Sequence, residues 1–220
     1  MSEAGPVCRW RALGRVPYAQ GLDLQRRVHG EVVAGGEDRL LLLEHTPVLT
    51  IGRGGGRGNL LVAEDSLARL GIELFETERG GDITYHGPGQ LVGYPILDLR
   101  RHGRDLHALL RRYEEVGLRV LARLGLTGGR DARHTGVWAG EEKVMAIGVA
   151  VKAWVTCHGF ALNLEPNLDH FRLIHPCGIR DKGVTSLARL LGRPVSRAEV
   201  EPLVVEEFGG VFGLEMVQEV

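Results

Sequence analysis

Cys177 stands in the run His175-Pro176-Cys177-Gly178-Ile179-Arg180. Pro176 has a fixed φ, and Gly178 reaches backbone angles closed to other residues, so the cysteine belongs to a tight, non-helical corner. A corner of that kind presents a sulfur to a cleft and aims backbone N–H groups at whatever sits on it. Two readings stand side by side: a displayed nucleophile, and the small buried hydrophobe that free cysteines usually are. Lys143 opens an otherwise apolar run, Val144-Met145-Ala146-Ile147-Gly148-Val149. It reads either as a strand-end lysine reaching into water or as a partly desolvated amine beside a thiol. An ordinary thiol, with a pKa of about 8.5, is only a few per cent thiolate at pH 7. A nearby ammonium that brings the pKa to about 7 raises that fraction to roughly half, for about 2 kcal/mol of differential stabilisation.

A third segment, Arg79-Gly80-Gly81-Asp82-Ile83-Thr84-Tyr85-His86-Gly87-Pro88-Gly89-Gln90, packs four glycines and a proline into twelve residues. It reads as a backbone-exposed loop between strands, which a ligand can approach closely. His86 alone reads as a core histidine bonded to a carbonyl; the density of the pattern around it favours a site. Gly148, Gly159 and Ala161 are small residues on neighbouring expected strands, which leave room for an apolar chain. By contrast, Gly52-Arg53-Gly54-Gly55-Gly56-Arg57-Gly58 has no GK[ST] end and no GxGxxG register, so it reads as a flexible loop with two arginines and not as a phosphate cradle.

Composition narrows the rest. The 220 residues are 44% hydrophobic and 25% charged, with a net charge of −1, which gives no global field toward nucleic acid or an anionic membrane. Aromatic content of 5% argues against a stacking platform for single strands. No apolar run approaches the roughly 20 residues of a membrane span, and residues 1–15 do not read as a signal peptide. Cys8, Cys157 and Cys177 show no CxxC pairing, which points to a reducing cytoplasm. The nine histidines lack metal-ligand spacing, so no metal is expected; no other cofactor is expected either.

These residues need elements to hold them. Leu22, Leu24, Val28, Val32 and Val33 form an imperfect helical stripe over 18–34. Runs at 39–44, 48–51, 72–77 and 91–97 read as strands, with a turn at Glu44-His45-Thr46-Pro47. Leu106, Leu109, Leu110, Tyr113, Val116, Val120, Leu121 and Leu124 mark the clearest amphipathic helix, with Asp105 as N-cap and Gly125 at its C-terminus. Residues 136–139, 143–151 and 154–164 read as consecutive strands, the first two turning at Gly140-Glu141. Thr185 or Ser186 caps a helix through Leu191, and Ser196 with Glu199 has capping-box spacing for a last helix, inside which Pro202 sits awkwardly. Strands that run consecutively in places and alternate with helices in others give an α+β fold, a mixed β-sheet with packed helices, with no internal boundary over 1–220.

Together these segments resemble the lipoyl(octanoyl) transferase family. The resemblance rests on Arg79 to Gln90 with Tyr94 following, on Lys143-Val144-Met145-Ala146-Ile147-Gly148, on His158-Gly159-Phe160-Ala161-Leu162-Asn163, and on Pro176-Cys177-Gly178-Ile179 followed by Gly183-Val184-Thr185-Ser186-Leu187. It implies a fold shared with the catalytic core of biotin and lipoate protein ligases. It implies octanoyl transfer from octanoyl-acyl carrier protein to a lysine of lipoyl domains, in 2-oxoacid dehydrogenase complexes and in the glycine cleavage H protein. By the same resemblance Cys177 carries the acyl group as a thioester and Lys143 tunes the thiol. Residues Arg79 through His86 (Gly80, Gly81, Asp82, Ile83, Thr84 and Tyr85 included), Ala146-Ile147-Gly148 and Gly159-Phe160-Ala161 line the acyl site. The rivals are an ATP-dependent lipoate or octanoate ligase of the same fold, which would not need Cys177, and a non-catalytic lipoyl-domain binding protein.

Overall fold

A computed structural model describes residues 5–175 and 182–219. In chain order its elements are β1 (Val7–Val16), α1 (Tyr18–Val33), β2 (Asp38–His45), β3 (Val48–Ile51), α2 (Glu64–Arg69), β4 (Glu73–Glu76), β5 (Ile83–His86), β6 (Gln90–Ile96), α3 (Leu106–Arg123), β7 (Val137–Ala139), β8 (Glu142–Lys152), β9 (Val155–Asn163), β10 (Gly183–Val184), α4 (Leu187–Leu191), α5 (Arg197–Phe212) and β11 (Glu215–Gln218). Among the described residues these strands make two sheets. The larger runs β10-β8-β9-β6-β2-β1-β11, with β7 added on β8, and the smaller runs β4-β3-β5. Parallel pairs (β1 with β2 and β11) mix with antiparallel ones (β2-β6-β9-β8), the expected α+β arrangement. Among the described residues no helix is long and apolar enough to cross a membrane.

Leu40-Leu41-Leu42-Leu43 shows why the large sheet reads as unbroken apolar runs. Side chains alternate across a strand, and here both faces are covered. Leu40 and Leu42 join Leu109, Tyr113, Val116 and Val120 of α3 and Val200, Val204 and Phe208 of α5, whereas Leu41 and Leu43 meet Val28 and Val32 of α1. Each such aliphatic side chain, when fully buried, contributes about 1.5–3 kcal/mol of transfer free energy. The helix ends follow their capping chemistry. Asp105 accepts from the Ala108 N–H, Ser186 from Arg189 and Ser196 from Glu199. Gly125, at φ +75°, takes the left-handed position after α3. Pro202 lies within α5 without breaking it.

Three features depart from the sequence expectations. Strands β1 and β11 and helix α2 form from segments that no apolar run announced; β1 carries Arg9, Arg11 and Arg15 among its ten residues. The segment Ile83–His86 is a buried strand, not exposed loop. The glycine-rich stretch is tied down rather than flexible. Gly52 N–H donates to Asp82 O at 3.2 Å, Arg53 N–H to Arg79 O at 3.0 Å and Gly54 N–H to Gly81 O at 3.0 Å. A Cβ at Gly52 would lie 2.8 Å from Arg79 Nη1 and 2.9 Å from Arg79 O, so a larger residue cannot close this seam. Its Arg57 is engaged by Glu64 and Glu76 of the same chain.

Candidate active site

The two sheets face each other across a cavity of about 50 Å³. Its floor is the large sheet, read in rows across three strands. Ala146 of β8 pairs with Ala161 of β9, which pairs with Val92 of β6; two residues along, Gly148 pairs with Gly159, and Tyr94 follows on β6. Two alanines and two glycines in register remove the side chains that would otherwise fill this space. The roof is the small sheet. Thr84 and His86 of β5 line the cavity, with Arg79, Gly81 and Tyr18 of α1 at its sides. Strand alternation turns Ile83 and Tyr85 the other way, into the core with Leu49, Ile51 and Phe171. Asp82 does not line the cavity either. Its carboxylate accepts the Ile83 N–H at 2.6 Å and the Asn59 amide, fixing the seam with the glycine-rich stretch. Gly80 lies across β8, its N–H on Val149 O at 2.8 Å. Of the expected acyl-site residues, Arg79, Gly81, Thr84, His86, Ala146, Ile147, Gly148, Gly159, Phe160 and Ala161 come together here.

Two buried histidines, His86 and His158, line the cavity and a third, His45, stands behind it against Tyr94; burial favours the neutral form of all three. His45 Nδ1–H donates to Val16 O at 2.8 Å, which leaves Nε2 to accept the Tyr94 hydroxyl at 2.6 Å. Burial lowers its pKa to about 4 against the opposing pull of the Val16 carbonyl. His86 is lowered to about 3, by burial first and then by the neighbouring His45. Its Nδ1–H donates to Gln90 Oε1 at 2.7 Å, and the Gln90 amide passes on to Asn163 Oδ1 at 2.9 Å. His158 is lowered to about 4 by burial. It holds φ +60° inside β9, a left-handed conformation that costs on the order of 1–3 kcal/mol. Gln25 holds it there by accepting its N–H at 2.7 Å. Arg79 is buried at 7% exposure, its guanidinium spent on Thr50 O at 2.6 Å, Thr50 Oγ1 at 2.8 Å and Gly80 O at 3.1 Å. The cavity wall therefore offers apolar surface and polar groups that are largely satisfied among themselves, which suits an uncharged apolar chain.

Thr84 and Ala146 also line a second cavity of about 30 Å³, which contains Lys143 and Lys182. A β-bulge aims Lys143 there. Between the pairs Val137↔Met145 and Trp138↔Lys143, β8 carries one extra residue, Val144. That insertion brings Lys143 onto the face of Ala146, the re-aiming that bulges supply. The Lys143 ammonium donates to Thr135 O at 3.1 Å and sits 4.7 Å from the centre of the Trp138 ring. Lys182 approaches the same ring at 4.9 Å and pairs with Asp131 at 2.7 Å and Glu141 at 2.8 Å. Cys177 falls in the segment 176–181, outside the described residues; that segment joins His175 to Lys182. Burial pushes the Cys157 thiol up to about 11 and raises the Cys8 thiol further, so neither supplies a thiolate near neutral pH. Among the described residues no group of His, Cys, Asp or Glu has the clustering to hold a metal. Sequence reasoning missed Tyr18, His45, Gln25, Trp138 and Lys182. Only their spatial convergence marks them, although Gln25 carries one signal, a polar residue inside the buried stripe of α1.

One family model spans this two-sheet α+β frame. Residues 17–209 match the lipoyl protein ligase A/B catalytic domain, and the chain belongs to that family, on its octanoyltransferase branch. It is 50% identical over 204 residues to the octanoyltransferase of Caldicellulosiruptor saccharolyticus, covering 91% of this chain and 87% of the relative. It is 48% identical over 211 residues to that of Solibacter usitatus, covering 96% and 95%. These relatives make the chain an acyltransferase. Solved structures carry the fold further. A lipoate protein ligase from T. acidophilum with bound lipoic acid superposes with a TM-score of 0.80 at 19% identity, covering 97% of this chain and 89% of that one. Biotin protein ligase from Aquifex aeolicus, in complex with biotin and ATP, does so with a TM-score of 0.53 at 15% identity, covering 93% and 70%.

Proposed function

We propose that the chain acts as one catalytic domain over 1–220 that moves an octanoyl group from octanoyl-acyl carrier protein to a lysine of lipoyl domains, by way of a Cys177 thioester. The observation that carries this reading is the apolar cavity lying next to the space that holds Lys143 and Lys182, with Thr84 and Ala146 lining both. Lys182 is also the residue at which the Cys177-bearing segment rejoins the described chain. Half-identical relatives named octanoyltransferase support the acyl group and favour transfer over ATP-dependent ligation.

In the proposed cycle the Cys177 thiolate attacks the donor thioester carbonyl and the donor sulfur leaves. That sulfur takes a proton from the Lys143 ammonium. The incoming lysine amine then attacks the Cys177 thioester, Lys143 recovers a proton from it, and the Cys177 thiolate is released. The first exchange replaces one thioester by another and is nearly isoenergetic; the second makes an amide and runs downhill. No nucleotide is consumed. Octanoyl-acyl carrier protein without acceptor is expected to add one octanoyl mass, labile to hydroxylamine and absent in Cys177→Ser, by intact-protein mass spectrometry. A wild-type chain that never gains this mass would falsify the covalent route.

A further inference from the structure

Four non-glycine residues among those described adopt positive φ. One, His158, is in the site; the other three, Arg104 (+51°), Ala153 (+51°) and Trp154 (+63°), meet at one patch of surface. Ala153 and Trp154 are the two-residue turn between β8 and β9, with both central residues left-handed as a type I′ turn requires, yet without the Asn-Gly that such turns favour. The strain displays Trp154 at 45% exposure, with the Arg104 guanidinium 5.5 Å from its ring centre. Leu106 and Val151, also exposed, complete a shallow groove of about 480 Å³.

This groove does not end at the patch. Leu106 is shared with a second groove, of about 280 Å³, that passes Leu110, Val149 and Gly148 and ends at Lys143. Of the arginines nearby, Arg100 and Arg101 pair with Asp98 and Asp38 and Arg111 pairs with Glu114, whereas among the described residues the two grooves are lined by Arg104, Arg133 and Lys143 and by no carboxylate. Arg104 makes no ion pair among the described residues, and Arg133 adds a cation along the second groove.

We propose that the Trp154–Arg104 patch docks the acidic carrier of the acyl donor, whose thioester-bearing arm lies along the groove to Lys143; this rests on the transfer reading above. Charge selects an acidic partner, and length selects the donor. Val151 and Lys143 are eight positions apart on β8, which at about 3.3 Å per residue places patch and amine about 25 Å apart. The four-carbon stem of an acceptor lysine cannot span that distance. A lysine-bearing domain must bring its body to the amine itself, whereas a carrier with a long flexible arm can sit at the patch.

The test compares octanoyl-acyl carrier protein with octanoyl-pantetheine, which has the thioester but no protein body. Arg104→Glu and Trp154→Ala are expected each to raise KM for the carrier-bound donor about tenfold, the cost typical of Trp and Arg anchors, and to weaken its dependence on salt. Both are expected to leave KM for octanoyl-pantetheine and for the acceptor unchanged. Ala153→Asn combined with Trp154→Gly separates docking from folding: it relieves the turn and raises the thermal midpoint, yet loses the carrier preference. An unchanged carrier KM, an equal loss with both donors, or a change confined to the acceptor overturns the proposal. A wild-type chain acylated by neither donor overturns the transfer reading itself, and the docking proposal with it.

Discussion

Three buried neutral histidines, two lining the cavity and His45 behind it on Tyr94, make the fold acid-sensitive in a calculable way. In the unfolded chain each titrates near 6.5. In the fold His86 is held at about 3, and His45 and His158 at about 4, all chiefly by burial. Between these values the unfolded chain binds more protons than the folded one, so stability is fully present above pH 6.5 and is lost as pH falls toward 4. At pH 5 each histidine lies about 1.5 units below its unfolded pKa, which is about 2 kcal/mol each and about 6 kcal/mol for the three. The coupling sharpens this, since His45 and His86 ring centres are 6.0 Å apart and charging one opposes charging the other. Whole domains are stable by about 5–15 kcal/mol, so this contribution alone removes much of the margin.

The assay is urea unfolding followed by circular dichroism, from pH 7.5 down to 5. The expected slope approaches about 4 kcal/mol per pH unit near pH 5, equivalent to three protons taken up on unfolding, and flattens above pH 7. His86→Gln is expected to remove one proton from that uptake and lower the slope by about a third. A wild-type slope below about 1 kcal/mol per unit between pH 6 and pH 5 would mean that the folded chain protonates these rings, and the neutral-cavity argument fails.

Lys143→Met is expected to keep the fold while shifting the pH profile of Cys177 alkylation by iodoacetamide to higher pH; an unmoved profile refutes the pairing. At Gly148 a Cβ would lie 3.0 Å from Gly80 O and 3.3 Å from Arg79 Cδ, on the cavity floor. Gly148→Val is therefore expected to cost about 1–3 kcal/mol of stability and to shift acyl preference toward shorter chains, read by competition among thioesters. Ser196→Ala removes the side chain that accepts the Glu199 N–H at the start of α5 and is expected to cost about 1 kcal/mol in thermal unfolding.

What the sequence disclosed follows from range. The α3 stripe, its Asp105 cap and its Gly125 terminus are local signals of period and capping, and they appear in the structure where the pattern places them. The leucine run 40–43 announces a strand because both its faces are covered. Contacts made at long range leave no such trace. Nothing near Gly52–Gly55 in sequence says that its glycines exist to meet the backbone of residues 79–82, and nothing around His45 says that its partner is Tyr94. Strand β5 was hidden because glycines flank it on both sides, although its alternation decides which residues of the motif reach the cavity. Lys143 is the sharpest case. It lies three positions from Ala146, and strict alternation along β8 would send the two side chains to opposite faces. The unpaired Val144 inserts one residue, reverses that parity and turns the ammonium toward the second cavity. A bulge of this kind is set by the partner strand β7, so the apolar run 144–149 alone contains no information about which way its lysine faces.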